Sequence, residues 1–195
     1  MRRHLAGMTV SRADWDSSVP WKRLEVGFPL QPERGEIAKI VAHRRGTFGW
    51  QYGDWVSKRP VGRLFHKGVD LVGWMDPNGK EHSLKGTLCL AAFDGLVDYA
   101  GDDEHEQPSV TLRHSSIGKL RYRITFFGDL SELFVKKPGE RVKRGQPIGR
   151  PGRAPNGRHF THFAIGYRPV EGVLRKEDYF VDPFSLIPGA KSAVR

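Results

Sequence analysis

Cysteine is nearly missing from this 195-residue chain: Cys89 stands alone, so no intrachain disulfide can staple the fold. Also lacking is any apolar run near the ~18 residues that a membrane-crossing helix needs. Helical periodicity is scarce. Only residues 32–43 carry it, with Ile37, Ile40 and Val41 on one helical face and Glu33 and Glu36 early, so a short helix is expected there. No unit of about 20–50 residues repeats. Acidic residues are in deficit: 32 Lys and Arg face 22 Asp and Glu, a formal net charge of +10. That excess favours an anionic partner, whether wall polymer, nucleic acid or lipid headgroups, without choosing among them. Near the start, Arg2 and Arg3 imitate the charged end of a secretion signal. Ser11, Arg12, Asp14 and Asp16 interrupt the apolar stretch that should follow, so no such signal is expected.

What the chain has in quantity is punctuation, with 23 Gly and 13 Pro. Between these breaks lie short β-type runs at 69–73, 88–92, 96–100, 110–114, 122–127 and 160–165. Turn signals separate them: Asp76-Pro77-Asn78-Gly79, Asp94-Gly95, Gly101-Asp102-Asp103, Lys137-Pro138-Gly139 and Pro155-Asn156-Gly157. Runs this short and regular predict an all-β fold, an antiparallel sandwich or open barrel, rather than alternating βαβ units.

Two stretches carry chemistry. In one, His66 precedes Asp70 by four residues with Gly68 between them, and imidazole nitrogen and carboxylate oxygen are both ordinary zinc ligands. Gly68 permits a tight backbone path that lets both side chains converge. In the other, His159 and His162 fall in Gly157-Arg158-His159-Phe160-Thr161-His162-Phe163. Each signal alone has a plain reading, a solvated surface pair and a hydrogen-bonded strand histidine respectively.

Taken in order, the motifs FHKGVD, AAFDGLVDYAG, VTLRH, TFFGDLSELFVKKPGERVKRGQPIGRPG, HFTHFAI and VDPFSLI closely resemble the lysostaphin/LytM-type zinc peptidoglycan endopeptidases. The resemblance runs over residues 47–187. Residues 1–46 form an unassigned N-terminal extension and 188–195 a C-terminal tail. It implies one Zn2+ per chain, held by His66, Asp70 and His162, and a metal-polarised water that attacks a peptide bond of peptidoglycan. It also implies a cell-envelope or extracellular location.

The chain departs from that family at two positions where histidines normally assist. Asp129 stands in the aromatic-x-His-Leu-Ser stretch, and Phe160 stands at the first His of H-x-H-F. A carboxylate at Asp129 can act as a base, or can simply be a turn residue. Strand alternation puts His162 with Phe160 and turns His159 away, so His159 reaches the site only through a β-bulge. His114, ending the VTLRH run, is a further acid–base candidate or a strand-end residue bonded to backbone. Asp129, His159 and His114 are therefore the catalytic candidates. The reading is a zinc endopeptidase acting on peptidoglycan; the alternative is a weakened or inactive LytM-like module that binds wall material or a partner protein.

Nucleic-acid binding ranks third. Eight Lys and Arg lie between 136 and 158 against Glu140 alone, yet no zinc-finger spacing or RNP-like pattern accompanies them. Lys136, Lys137, Arg141, Lys143 and Arg144 are instead read as contacts to an anionic substrate, placed beside the zinc cleft by their nearness in sequence to His162. His82 and His105 read as surface residues and Cys89 as a small buried hydrophobe. Trp50, Tyr52 and Trp55 read as packing at the sheet edge or as lining of a substrate groove.

Overall fold

The computed structural model describes residues 28–43, 46–47, 51–53, 60–103, 106–117, 121–169, 179–187 and 193–194. Among them, the strands in chain order begin with β1 (Leu30–Gln31), β2 (Lys39–Ala42), β3 (Gln51–Gly53), β4 (Pro60–Phe65), β5 (Val69–Met75), β6 (Glu81–Ser83), β7 (Leu88–Leu90) and β8 (Gly95–Asp102). They continue with β9 (Pro108–Ile117), β10 (Arg121–Gly128), β11 (Leu130–Leu133), β12 (Arg141–Val142), β13 (Pro147–Arg153), β14 (His159–Pro169), β15 (Tyr179–Val181) and β16 (Ala193–Val194). One 3-10 turn, Pro183–Ser185, is capped by the Asp182 carboxylate, which accepts from the Phe184 N–H. Each of the six expected runs falls on a strand. The Asp76–Gly79 turn closes with Gly79 at φ 82 and its N–H on the Asp76 carbonyl.

The expected helix over 32–43 is not formed. Lys39–Ala42 is strand β2 instead, antiparallel to β5, with Ile40 opposite Trp74 and Val41 opposite Gly73. Ile40 and Val41 are β-branched and both fully buried. Neighbouring strand residues face opposite ways, so each of the two finds cover on its own side, which one helical stripe does not offer. Gly35, at φ +92, turns the chain upstream where a helix would have to continue.

The main path runs β1-β7-β13-β14-β10-β9-β8-β12, with β5 and β15 also on β14, β2 and β6 on β5, and β11 on β13. Among the described residues every pairing is antiparallel except β16 with β2, and the sheet stays open. β3 and β4 form a separate ribbon.

Two faces of this sheet do different work. Phe127, Phe163 and Ile165 are fully buried on one face, the two phenylalanine rings 4.7 Å apart, with Leu71, Leu112 and Ile148 completing the core. Their neighbours His162, Ala164 and Phe126 point to the other face by strand alternation. In β5 a bulge interrupts that alternation: Val41 opposes Gly73 and Ala42 opposes Leu71, leaving Val72 as the extra residue. Trp74 thereby joins Ile40 and Leu71 in the core while Asp70 stays on the His162 face.

Candidate metal centre

Three side chains from two distant stretches meet on the face opposite the core. Asp70 lies directly across from His162 in the β5–β14 register, and β14 continues against β10 with His162 opposite Gly128. His66 comes from the turn just before β5. Its Nε2 is 2.9 Å from His162 Nδ1 and 3.2 Å from Asp70 Oδ1, and His162 Nδ1 is also 3.2 Å from Asp70 Oδ1. Gly68 makes the approach possible: a Cβ there would fall 2.5 Å from the Phe163 carbonyl and 2.6 Å from His162 Nε2. The expectation of a tight path at Gly68 thus has a concrete form, a loop pressed onto β14.

The donor set suits a metal ion. His66 donates its Nδ1–H to the Thr47 carbonyl at 3.2 Å, which in the neutral ring leaves Nε2 with its lone pair turned inward. The Nδ1–H of His162 then sits between two acceptors, His66 Nε2 and Asp70 Oδ1, where a divalent cation would replace that proton. Donors around a tetrahedral zinc with bonds of about 2.0–2.1 Å stand about 3.3 Å apart. The three separations here come close to that. Burial by itself would raise the Asp70 carboxyl, but its bonds with the His162 and His66 rings outweigh burial and hold it well below the usual carboxylate range. His66 is 2% exposed, His162 17% and Asp70 27%, so the cluster is walled on the His66 side and open on the other. Phe126 stands edge-on to His162 at 5.7 Å and supplies an apolar flank.

The acid–base candidates are placed differently. Asp129 occupies the turn between β10 and β11 at φ 55, a left-handed conformation that Asp tolerates better than most residues. It follows Gly128, the residue opposite His162, and its carbonyl accepts from the Gly152 N–H at 2.7 Å. His159 pairs with Arg153 and Phe160 with Gly152, without a register shift. β14 also keeps register against β5 and β10, so Phe160 shares the face of His162 and His159 faces away.

His114 is not brought to the cluster. β10 separates its strand from β14, and both ring nitrogens are engaged. Nδ1–H donates to the Asp94 carbonyl at 3.0 Å, and Nε2 accepts from the Thr125 hydroxyl at 2.9 Å. Burial lowers its pKa to about 4, against the opposing pull of the Asp94 bond, so the ring is neutral.

The basic residues lie on and around β12. Lys136, Lys137, Arg141, Lys143 and Arg144 are exposed, and β12 pairs with β8 at the far end of the sheet path. β8, β9 and β10 stand between it and β14. Lys143 pairs with Asp94 at 3.3 Å.

His82 is not a lone surface residue: it stacks on Trp74 at 4.1 Å and meets Asp76 at 3.1 Å. Cys89 is buried, with its thiol pushed up to about 12, consistent with its reading as a small hydrophobe. His105, Trp50 and Trp55 lie outside the described residues, and of Tyr52 only the backbone of β3 is described. Two contacts to the cluster had no signal in the sequence, the Thr47 carbonyl and the backbone of Gly46 against Asp70.

The model of Peptidase family M23 matches residues 65–172, more than half of the chain. No curated protein sequence matches it. Among solved structures, Helicobacter pylori Csd3 is 24% identical at a TM-score of 0.46, covering 86% of this chain and 36% of its own. A zinc containing peptidase from Vibrio cholerae is 24% identical at 0.43, covering 74% of this chain and 41% of its own. The catalytic domain of the antimicrobial peptidase lysostaphin from Staphylococcus simulans is 21% identical at 0.43, covering 72% and 91%. This chain therefore spans about a third of the length of Csd3.

Proposed function

Since the chain belongs to peptidase family M23, we propose that it is a zinc-dependent endopeptidase that hydrolyses peptide bonds of peptidoglycan. One observation carries this reading: His66 Nε2, Asp70 Oδ1 and His162 Nδ1 converge within 4.8 Å of one another. These three residues would hold the ion. Bound there, zinc would supply a polarised water and stabilise the developing oxyanion. The chain's own contribution is orientation and shielding. His66 is held by the Thr47 carbonyl, Asp70 by its place opposite His162, and Phe126 keeps one flank apolar. Asp129, at the turn beside Gly128, is the proposed proton acceptor, because a carboxylate oxygen can accept a proton from an attacking water. The exposed Lys136, Lys137, Arg141, Lys143 and Arg144 would hold an anionic wall polymer.

Metal content by mass spectrometry, for the wild type beside His162→Ala, tests the site. The expected result is one zinc per chain in the wild type and none in the variant. Zymography on purified peptidoglycan should show clearing that EDTA abolishes. A zinc-supplemented wild type without metal, or without clearing at any pH across the histidine range, would overturn the enzyme reading.

A specific feature favours a second reading, a LytM-like module that binds wall material with little or no cleavage. Phe160 occupies the site-facing strand position beside His162, and neither His159 nor His114 is turned to the cluster. Wall pulldown that survives His66→Ala, with no cleavage by either protein, would select it.

A further inference from the structure

The family match begins at residue 65, yet two residues upstream of it touch the donors. Gly46 is buried against Asp70. A Cβ built on it would fall 2.2 Å from Oδ2 and 2.6 Å from Cγ, so the glycine Cα packs on the carboxylate where no side chain fits. Its backbone lies outside the left-handed region, so bulk alone makes glycine necessary. Gly46 is also anchored. Its N–H donates to the His43 carbonyl at 2.9 Å, and the His43 N–H donates to the Asp70 carbonyl at 2.9 Å, extending the β2–β5 ladder onto the ligand residue itself. One residue on, the Thr47 carbonyl receives the His66 Nδ1–H.

We propose that Gly46 and Thr47 form a backbone strap that sets the metal centre. Thr47 fixes the ring orientation and tautomer of His66, and Gly46 limits the rotation of Asp70 so that Oδ1 faces both imidazoles. The inference rests on reading His66, Asp70 and His162 as the donors. Both strap residues are positioning residues and contribute no donor of their own. A carboxylate rotates easily about its last torsion and offers two equivalent oxygens. With Oδ2 against Gly46, Oδ1 is the oxygen 3.2 Å from both His66 Nε2 and His162 Nδ1. Outer-shell partners of this kind are typically worth about 10–100-fold in metal affinity.

The test uses the full chain with Gly46→Ala and Gly46→Val, and His162→Ala as reference. Zinc affinity is read by competition with a chromophoric chelator, coordination by the visible spectrum of the cobalt-substituted protein, and folding by thermal unfolding of the metal-free form. The expected result is a loss of about 10–100-fold in zinc affinity for Gly46→Ala, at least as large for Gly46→Val. The cobalt spectrum should change while metal-free unfolding does not. Wild-type affinity and spectrum in both variants would overturn the strap. So would a loss of binding that appears, for alanine as for valine, only together with a matching loss of metal-free stability. A wild type that binds no zinc sinks the donor reading itself, whereas tight wild-type binding unchanged by either substitution sinks only the strap.

Discussion

Phe160 and His162 share one face of β14, and the difference between them bears on how fast the site can work. General acid–base assistance is typically worth about 10²–10⁴-fold, and a phenyl ring supplies none of it. Phe160→His sets an imidazole two residues from the proposed donor His162 without altering the proposed donors. Initial rates on soluble wall fragments should rise by about 10²-fold, with zinc stoichiometry unchanged; no rise would mean that proton transfer does not limit turnover. His114 governs a different property. Its folded pKa of about 4 lies below the ordinary histidine value of 6.5, so the unfolded chain binds the proton more readily. Stability from this residue is full above about pH 6.5 and is lost as pH falls toward about 4, by up to about 3 kcal/mol. Denaturant melts at several pH values should show that slope in the wild type and a flatter one in His114→Gln.

At the scale of elements, close backbone approach recurs where strands cross. Gly149 in β13 is one such point, opposite Leu133 of β11 and Cys89 of β7. A Cβ there would sit 2.5 Å from the Glu132 carbonyl, a backbone atom that cannot give without opening the β11–β13 pairing. Gly149→Ala is therefore expected to cost about 1–3 kcal/mol, read as a lowered thermal midpoint, and an unchanged midpoint would contradict the pairing. The bulge at Val72 in β5 shows the opposite use of an irregularity. It lets one strand send Asp70 to the site and Trp74 to the core, although four residues apart in an unbroken strand they would share a face.

For the whole molecule, the +10 charge is a field rather than a site. Its most concentrated exposed segment sits around β12, the strand that ends the sheet path. The proposed tethering of an anionic polymer there is one that salt should weaken over a Debye length of about 8–10 Å. Replacing Lys136, Lys137 and Arg141 together by Gln should lower sedimentation with purified wall at low salt and flatten its salt dependence. Equal sedimentation of both proteins at every salt would remove these residues from wall contact. Among the described residues no helix is long and apolar enough to cross a membrane.

How much could be read in advance differs between local and non-local features. Strand identity is local: alternation and Gly, Pro, Asp and Asn breaks mark each of the six expected runs, and the Asp76–Gly79 turn follows from its residue types. The types of donor were legible as well, since His66, Asp70 and His162 stand in recognisable motifs. Their convergence was implied by the family resemblance and not by spacing, because a separation of 96 residues between His66 and His162 is bridged by the β5–β14 register. The same holds for the failures of local reading. Ile37, Ile40 and Val41 fit a helical stripe, but cover for Ile40 and Val41 on both sides of β2 comes from partners elsewhere in the chain. Gly46 and Thr47 carried no signal at all, since a backbone carbonyl and a missing side chain act through shape, and residue type does not record which strand they will lie against. Sequence alone determined which groups are available and the period of each strand. Tertiary structure decided which of them meet, because pairing register and strand order are set by the packing of the whole sheet.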